Sequence, residues 1–127
     1  VTVDLRNTDE ALLQEAEQRF ALFLAQLAAE EGVRIETRTL ARFAPVTFDK
    51  RVADLVARTA GKLGHSCRPM TSGAGHDAQM MARICPTAMI FVPSVKGISH
   101  NPAEHTEPAH LAAGADVLLH TLLELAG

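Results

Sequence analysis

The apolar periodicity changes twice within the first 43 residues, and that succession restricts the possible fold more than any other feature of the chain. Val1, Val3 and Leu5 alternate with polar neighbours, which predicts a half-buried strand over residues 1–6. Asn7-Thr8-Asp9-Glu10 then supplies an N-cap and a first-turn acidic pair. Leu12, Leu13, Ala16, Phe20, Phe23, Leu24 and Leu27 follow at helical spacing, and Gly32 stands where a helix-terminating glycine belongs. Alternation returns from Val33 to Phe43, with Val33, Ile35 and Thr37 opposite Arg34, Glu36 and Arg38. The expectation is a strand–helix–strand unit. Its strand edges and one sheet face would be uncovered, so it needs a partner in further sequence or in a second chain.

Ala44-Pro45 breaks the pattern and marks a domain junction, with residues 1–45 on one side and 46–127 on the other. A helix is expected from about Asp49 to Leu63, carrying Val52, Leu55, Val56 and Leu63 on one face and ending at Gly64. Residues 65–75 are irregular, and a short helix opens near His76 and ends near Ile84, because Pro86 forbids much more. Thr87 to Val92 is a continuous apolar run, as in a strand buried on both faces. Pro93 to Glu104 reads as a loop. Thr106-Glu107-Pro108 then caps a last helix with Leu111, Ala115, Leu118, Leu119, Leu122 and Leu123 as its buried stripe. These elements alternate as in an α/β fold.

A chain of 127 residues can bury a core, and 47% apolar with 21% charged residues is a globular balance. The net charge of −3 comes without any basic block, so neither nucleic acid nor a membrane surface is an expected partner. No apolar run approaches the ~20 residues that span a bilayer, and VTVDLRN is not a signal peptide. Cys67 and Cys85 make no disulfide framework. They are expected to be small buried hydrophobes in a reducing, cytoplasmic compartment. Val1 lies inside a strand pattern with no Met before it, which suggests a piece of a longer protein.

Polar residues that structure alone does not explain gather in two loops flanking the Thr87–Val92 run. The first, Ser72-Gly73-Ala74-Gly75-His76-Asp77-Ala78, runs into a helix start. Its glycines let backbone approach a ligand, and the helix amides favour a negative group. A turn with a helix cap is the simpler explanation of the same residues. The second is Gly97-Ile98-Ser99-His100-Asn101-Pro102-Ala103-Glu104. Ligands in α/β folds bind beyond the carboxyl ends of strands, which is where this loop is expected. His100 is a candidate metal ligand there, and Glu104 either its acceptor or the partner of the last helix. A solvated loop His is the simpler alternative. His65, His105, His110 and His120 show no metal-ligand spacing, and no GxSxG, Walker or GxGxxG sequence occurs.

Taken together, SGAGHDA (Ser72–Ala78), PTAMIFVPS (Pro86–Ser94), GISHNPAE (Gly97–Glu104) and the Asp-x-Arg of VTVDLRN resemble the M20-type amidase branch, in order and in spacing. That branch contains N-carbamoyl-L-amino-acid hydrolases, allantoate amidohydrolases and β-ureidopropionases. The resemblance implies a partial ferredoxin-like lid over residues 1–45, which also dimerises, followed by the C-terminal segment of an α/β zinc-hydrolase catalytic domain over 46–127. It implies that His100 is the last zinc ligand, that His76 stands near the substrate to polarise the amide, and that Arg6 grips a substrate carboxylate. A planar bidentate donor suits that last task. Asp77, Asn101 and Glu104 match supporting positions, and His105 departs from an aromatic residue. A dinuclear site of zinc, or of Mn, Co or Ni, is implied, with a separate Glu as base. The other ligands and the base belong to a half with no equivalent in residues 1–127, so this chain alone is expected to be metal-free and inactive. The implied partners are a small carboxylate-bearing substrate and a second copy in a homodimer. The competing readings are a stand-alone dimerising or ligand-binding module, and a relative that cleaves dipeptides. The GISHNPAE loop argues against the second of these.

Overall fold

The computed structural model describes all of residues 1–127. Its first helix, α1 (Glu10–Glu31), starts where Asp9 turns its carboxylate onto the Leu12 amide at 3.0 Å, while Asn7 Oδ1 accepts from the Asp9 amide at 2.9 Å. It ends at Gly32, whose φ of 62° is a left-handed conformation that glycine adopts without a Cβ penalty. The amides of Gly32 and Val33 both return to the Ala28 carbonyl, which closes the last turn. Helix α2 (Lys50–Lys62) is capped by Asp49, which accepts from the amides of Arg51 and Val52. Helix α3 is the single turn Ala78–Met81, a 3-10 turn covers Val95–Gly97, and α4 (Pro108–Ala126) opens with Pro108 at its first position.

The expected α/β fold is not present. The chain is helical, without strand or sheet, so the strand–helix–strand reading of a ferredoxin-like lid is not supported. The reason lies in the ladder. None of residues 1–8, 34–48 or 88–93 takes part in a backbone–backbone hydrogen bond. A strand exists only through a neighbour's N–H and C=O groups, whatever its apolar pattern. Thr87–Val92 is therefore not a doubly buried strand: its residues are half-buried or exposed. The cysteine expectation is also corrected, since Cys67 and Cys85 are both free and exposed.

The chain divides into two compact units, Val1–Thr47 with Thr71–Ala74, and Phe48–Met70 with Gly75–Gly127. In the first, Leu13 of α1 is buried. Residues 33–47 are fastened to the helix by Arg42, which donates to Glu10 at 2.7 Å and to Glu17 at 2.9 Å. In the second unit α2 packs on α4, burying Leu55, Thr59 and Ala60 against Val117 and Thr121. Asp49 also donates its amide to the Thr87 carbonyl at 2.9 Å, which ties the apolar segment to the start of α2. Val92 then approaches α4 so closely that a Cβ on Gly114 would lie 2.5 Å from its Cγ1.

The stripe expected on α4 is not its buried face. Leu111, Leu118, Leu119, Leu122 and Leu123 are all about half exposed or more, whereas Val117 and Thr121 are buried. Burial follows the side that meets α2, and nothing in the chain covers the leucine rows.

Candidate functional site

The residues singled out in the sequence fall in both units. In the first, Arg6 is held at three nitrogens. Its Nε and Nη2 donate to Asp4 Oδ2 at 2.8 and 2.6 Å, and its Nη1 donates to the Gly73 carbonyl at 2.7 Å. The Arg6 guanidinium holds the Asp4 carboxyl below its ordinary value, chiefly through that hydrogen bond, and Asp4 in turn raises Arg6. Asp4 was not among the sequence candidates. Its spacing was the available signal, because side chains two apart fall on one side of an extended backbone. Ser72, in the same unit, turns its hydroxyl onto the Ala74 carbonyl at 3.2 Å.

In the second unit His76 lies one residue before the N-cap of α3, Asp77, and bonds into its first turn. Its Nδ1 accepts from the Ala78 amide at 3.1 Å, and Gln79 Oε1 returns to the His76 amide at 3.3 Å. The two bonds are reciprocal, tying His76 to the first turn of α3 through its ring and its amide. With Nδ1 accepting, Nε2 is the ring nitrogen left to donate. Asp77 is exposed and makes no capping bond. The spacing His76-x-x-Gln79 was the missed signal.

The second loop is closed at its neck. Val95 donates its amide to the His105 carbonyl at 2.8 Å, and Ser94 Oγ donates to the Ile98 carbonyl. Inside it, Asn101 accepts from the Ala103 amide through Oδ1 and from the Glu104 amide through its carbonyl, both at 2.9 Å. Glu104 reaches back to accept the His100 amide at 2.7 Å. It thus serves the backbone of His100 rather than the ring. His100 sits at the tip with φ 54°, in the left-handed region where His, Asn and Asp are enriched among side-chain-bearing residues. Asn101 and Glu104 therefore hold a twist that leaves the imidazole exposed.

The remaining histidines take other places. His105 Nε2 lies 3.8 Å from Glu107. His120 lines a shallow cavity of about 120 Å³ beside Thr59, Lys62, Leu63 and Glu124. Nowhere do three or more His, Cys, Asp or Glu side chains come close enough to hold a metal ion. His100 stands alone as a donor, and a zinc ion needs three or four protein ligands. The residues of this chain do not by themselves make up a metal site.

Residues 5–124 match the profile of Peptidase family M20/M25/M40. The chain belongs to that family. Among its relatives, an N-carbamoyl-L-amino-acid amidohydrolase of Rhizobium meliloti is 42% identical over 125 residues, covering 98% of this chain and 30% of the relative. An allantoate amidohydrolase of Escherichia coli (strain K12) is 38% identical, again over 98% of this chain and 30% of its own length. An amidase of the hydantoinase/carbamoylase family from Burkholderia vietnamiensis superposes with a TM-score of 0.87 at 39% identity, over 94% of this chain and 29% of that one. This M20/M25/M40 chain thus spans about 30% of the length of the curated relatives it matches.

Proposed function

We propose that residues 1–127 are the C-terminal portion of a metal-dependent amidohydrolase that cleaves a linear C–N amide or ureido bond in an N-carbamoyl amino acid or an allantoate-like substrate. Relatives with those activities support the substrate class. The observation that carries the reading is the closed loop of residues 94–105, which spends its polar groups on holding the backbone of His100 and leaves the imidazole free.

Each residue has a task in that chemistry. Hydrolysis of an amide requires its carbonyl oxygen to be polarised and the resulting anion stabilised. His76, whose Nδ1 accepts from the Ala78 amide, has Nε2 left to donate to that oxygen. Arg6 supplies a planar fork for the substrate carboxylate. His100 is the one donor this chain would give to a zinc, Mn, Co or Ni ion, the other donors and the general base lying outside these residues. The chain alone is therefore proposed to be inactive. A homodimer is part of the same reading, supported by the apolar surface that Leu22 and Phe23 of α1 expose.

The test uses the longer protein that carries this chain. N-carbamoyl-L-amino acids and allantoate are assayed alongside bound metal, measured by plasma mass spectrometry. His100→Ala is expected to lower metal content and rate together. A variant that keeps both, or turnover by the 127-residue chain alone, would overturn the assignment.

A further inference from the structure

We infer that Asp4 is the positioning residue of Arg6, orienting its guanidinium so that one edge stays open to a substrate carboxylate. The inference rests on the carboxylate-gripping role proposed for Arg6. A guanidinium has five N–H groups. Asp4 engages Nε and Nη2, and the Gly73 carbonyl engages Nη1. One N–H remains on each terminal nitrogen, and with the side chain exposed these are the donors left for a substrate carboxylate.

The exposure of the pair argues for orientation rather than stability. The Arg6 and Asp4 side chains are 61% and 60% exposed. An ion pair in that setting contributes little to folding. An arginine that is free in solvent, however, must give up many rotamers when it binds, and a side chain held beforehand binds without that loss. Two contacts from different stretches of chain, Asp4 two residues away and Gly73 far along the sequence, fix both the direction and the roll of the guanidinium plane. Asp4 also brings a negative charge beside the binding edge, which repels a carboxylate. Orientation and repulsion therefore act in opposite directions on KM, and a measurement can tell which one wins.

The experiment compares N-carbamoyl-L-alanine with its carboxamide, which lacks the carboxylate, in the longer enzyme. Asp4→Ala is expected to raise KM for the acid about tenfold, with kcat and the KM of the carboxamide changing less than about twofold. Asp4→Glu, which retains an acceptor, is expected to recover most of the loss. Arg6→Ala is expected to raise KM for the acid about a hundredfold and to spare the carboxamide. If Arg6→Ala affects acid and carboxamide alike, the gripping role itself is wrong and the inference goes with it. If Arg6→Ala discriminates but Asp4→Ala leaves or lowers KM for the acid, the positioning role alone is refuted. An Asp4→Ala variant that raises KM for both compounds and melts at lower temperature marks Asp4 as merely structural, which also refutes it.

Discussion

Glu10 and Glu17 stand seven positions apart on α1, two helical turns, and the single guanidinium of Arg42 reaches both. Its hydrogen bond holds the Glu10 carboxyl below the ordinary value, with Gln14 assisting, and the Val52 amide does the same for Asp49. A carboxyl lowered by folding binds its proton less readily in the folded chain than in the unfolded one. Its stabilising contribution is thus present above the ordinary carboxylate pKa of about 4 and lost as pH falls through the lower folded value. Urea unfolding at pH 5 and pH 3 should show the chain less stable at the lower pH. Arg42→Ala should narrow that difference, and an undiminished difference would count against the pairing. Legibility at this scale was uneven. Gly32 could be read directly, because a left-handed helix stop has one inexpensive occupant. The Arg42 cluster could not, because two half-buried carboxylates and a distant arginine leave no local pattern. The left-handed φ of 54° at His100 was not legible, because it is set by hydrogen bonds to Asn101 and Glu104 within the loop.

The elements show the same division for a different reason. A helix completes its hydrogen bonds within four residues, so α1, α2 and α4 were readable from caps and periodicity. A strand completes them elsewhere, and the patterns at 1–6, 33–43 and 87–92 meet no ladder in this chain. On α4 the leucine rows suggested one buried side, but contact with α2 selects another, and Gly114 marks a second close approach that no pattern announced. That approach makes a sharp prediction. Alanine is normally favoured over glycine inside a helix by about 1 kcal/mol, but a Cβ pressed against a stiff β-branched side chain costs ~1–3 kcal/mol. Gly114→Ala should therefore destabilise the second unit by about 1 kcal/mol, measured by denaturant titration. In a Val92→Ala background the same change should stabilise it. Thr59 and Thr121 make a further case, since both hydroxyls are buried with no partner. Thr59→Val removes such a group at nearly constant volume and should raise stability by about 1 kcal/mol.

At the scale of the whole molecule the surface dominates. The chain exposes 10111 Å² at 13.6 kDa. A single compact domain of that mass exposes about 6,600 Å², and two separately folded units about 8,000 Å². The buried apolar residues are Leu13, Leu55, Ala60, Ala78 and Val117, and no large side chain is fully buried. An excess of a few thousand Å² is the scale of an obligate interface. This excess has a calorimetric consequence. Water around uncovered apolar surface contributes equally before and after unfolding, so it adds nothing to the change in heat capacity. The 127-residue chain should therefore melt over a broad range with a heat-capacity increment smaller than its length implies. The same residues docked against the rest of a longer protein should recover the difference, on the order of 0.5 kcal/mol/K, as a negative heat-capacity change on association.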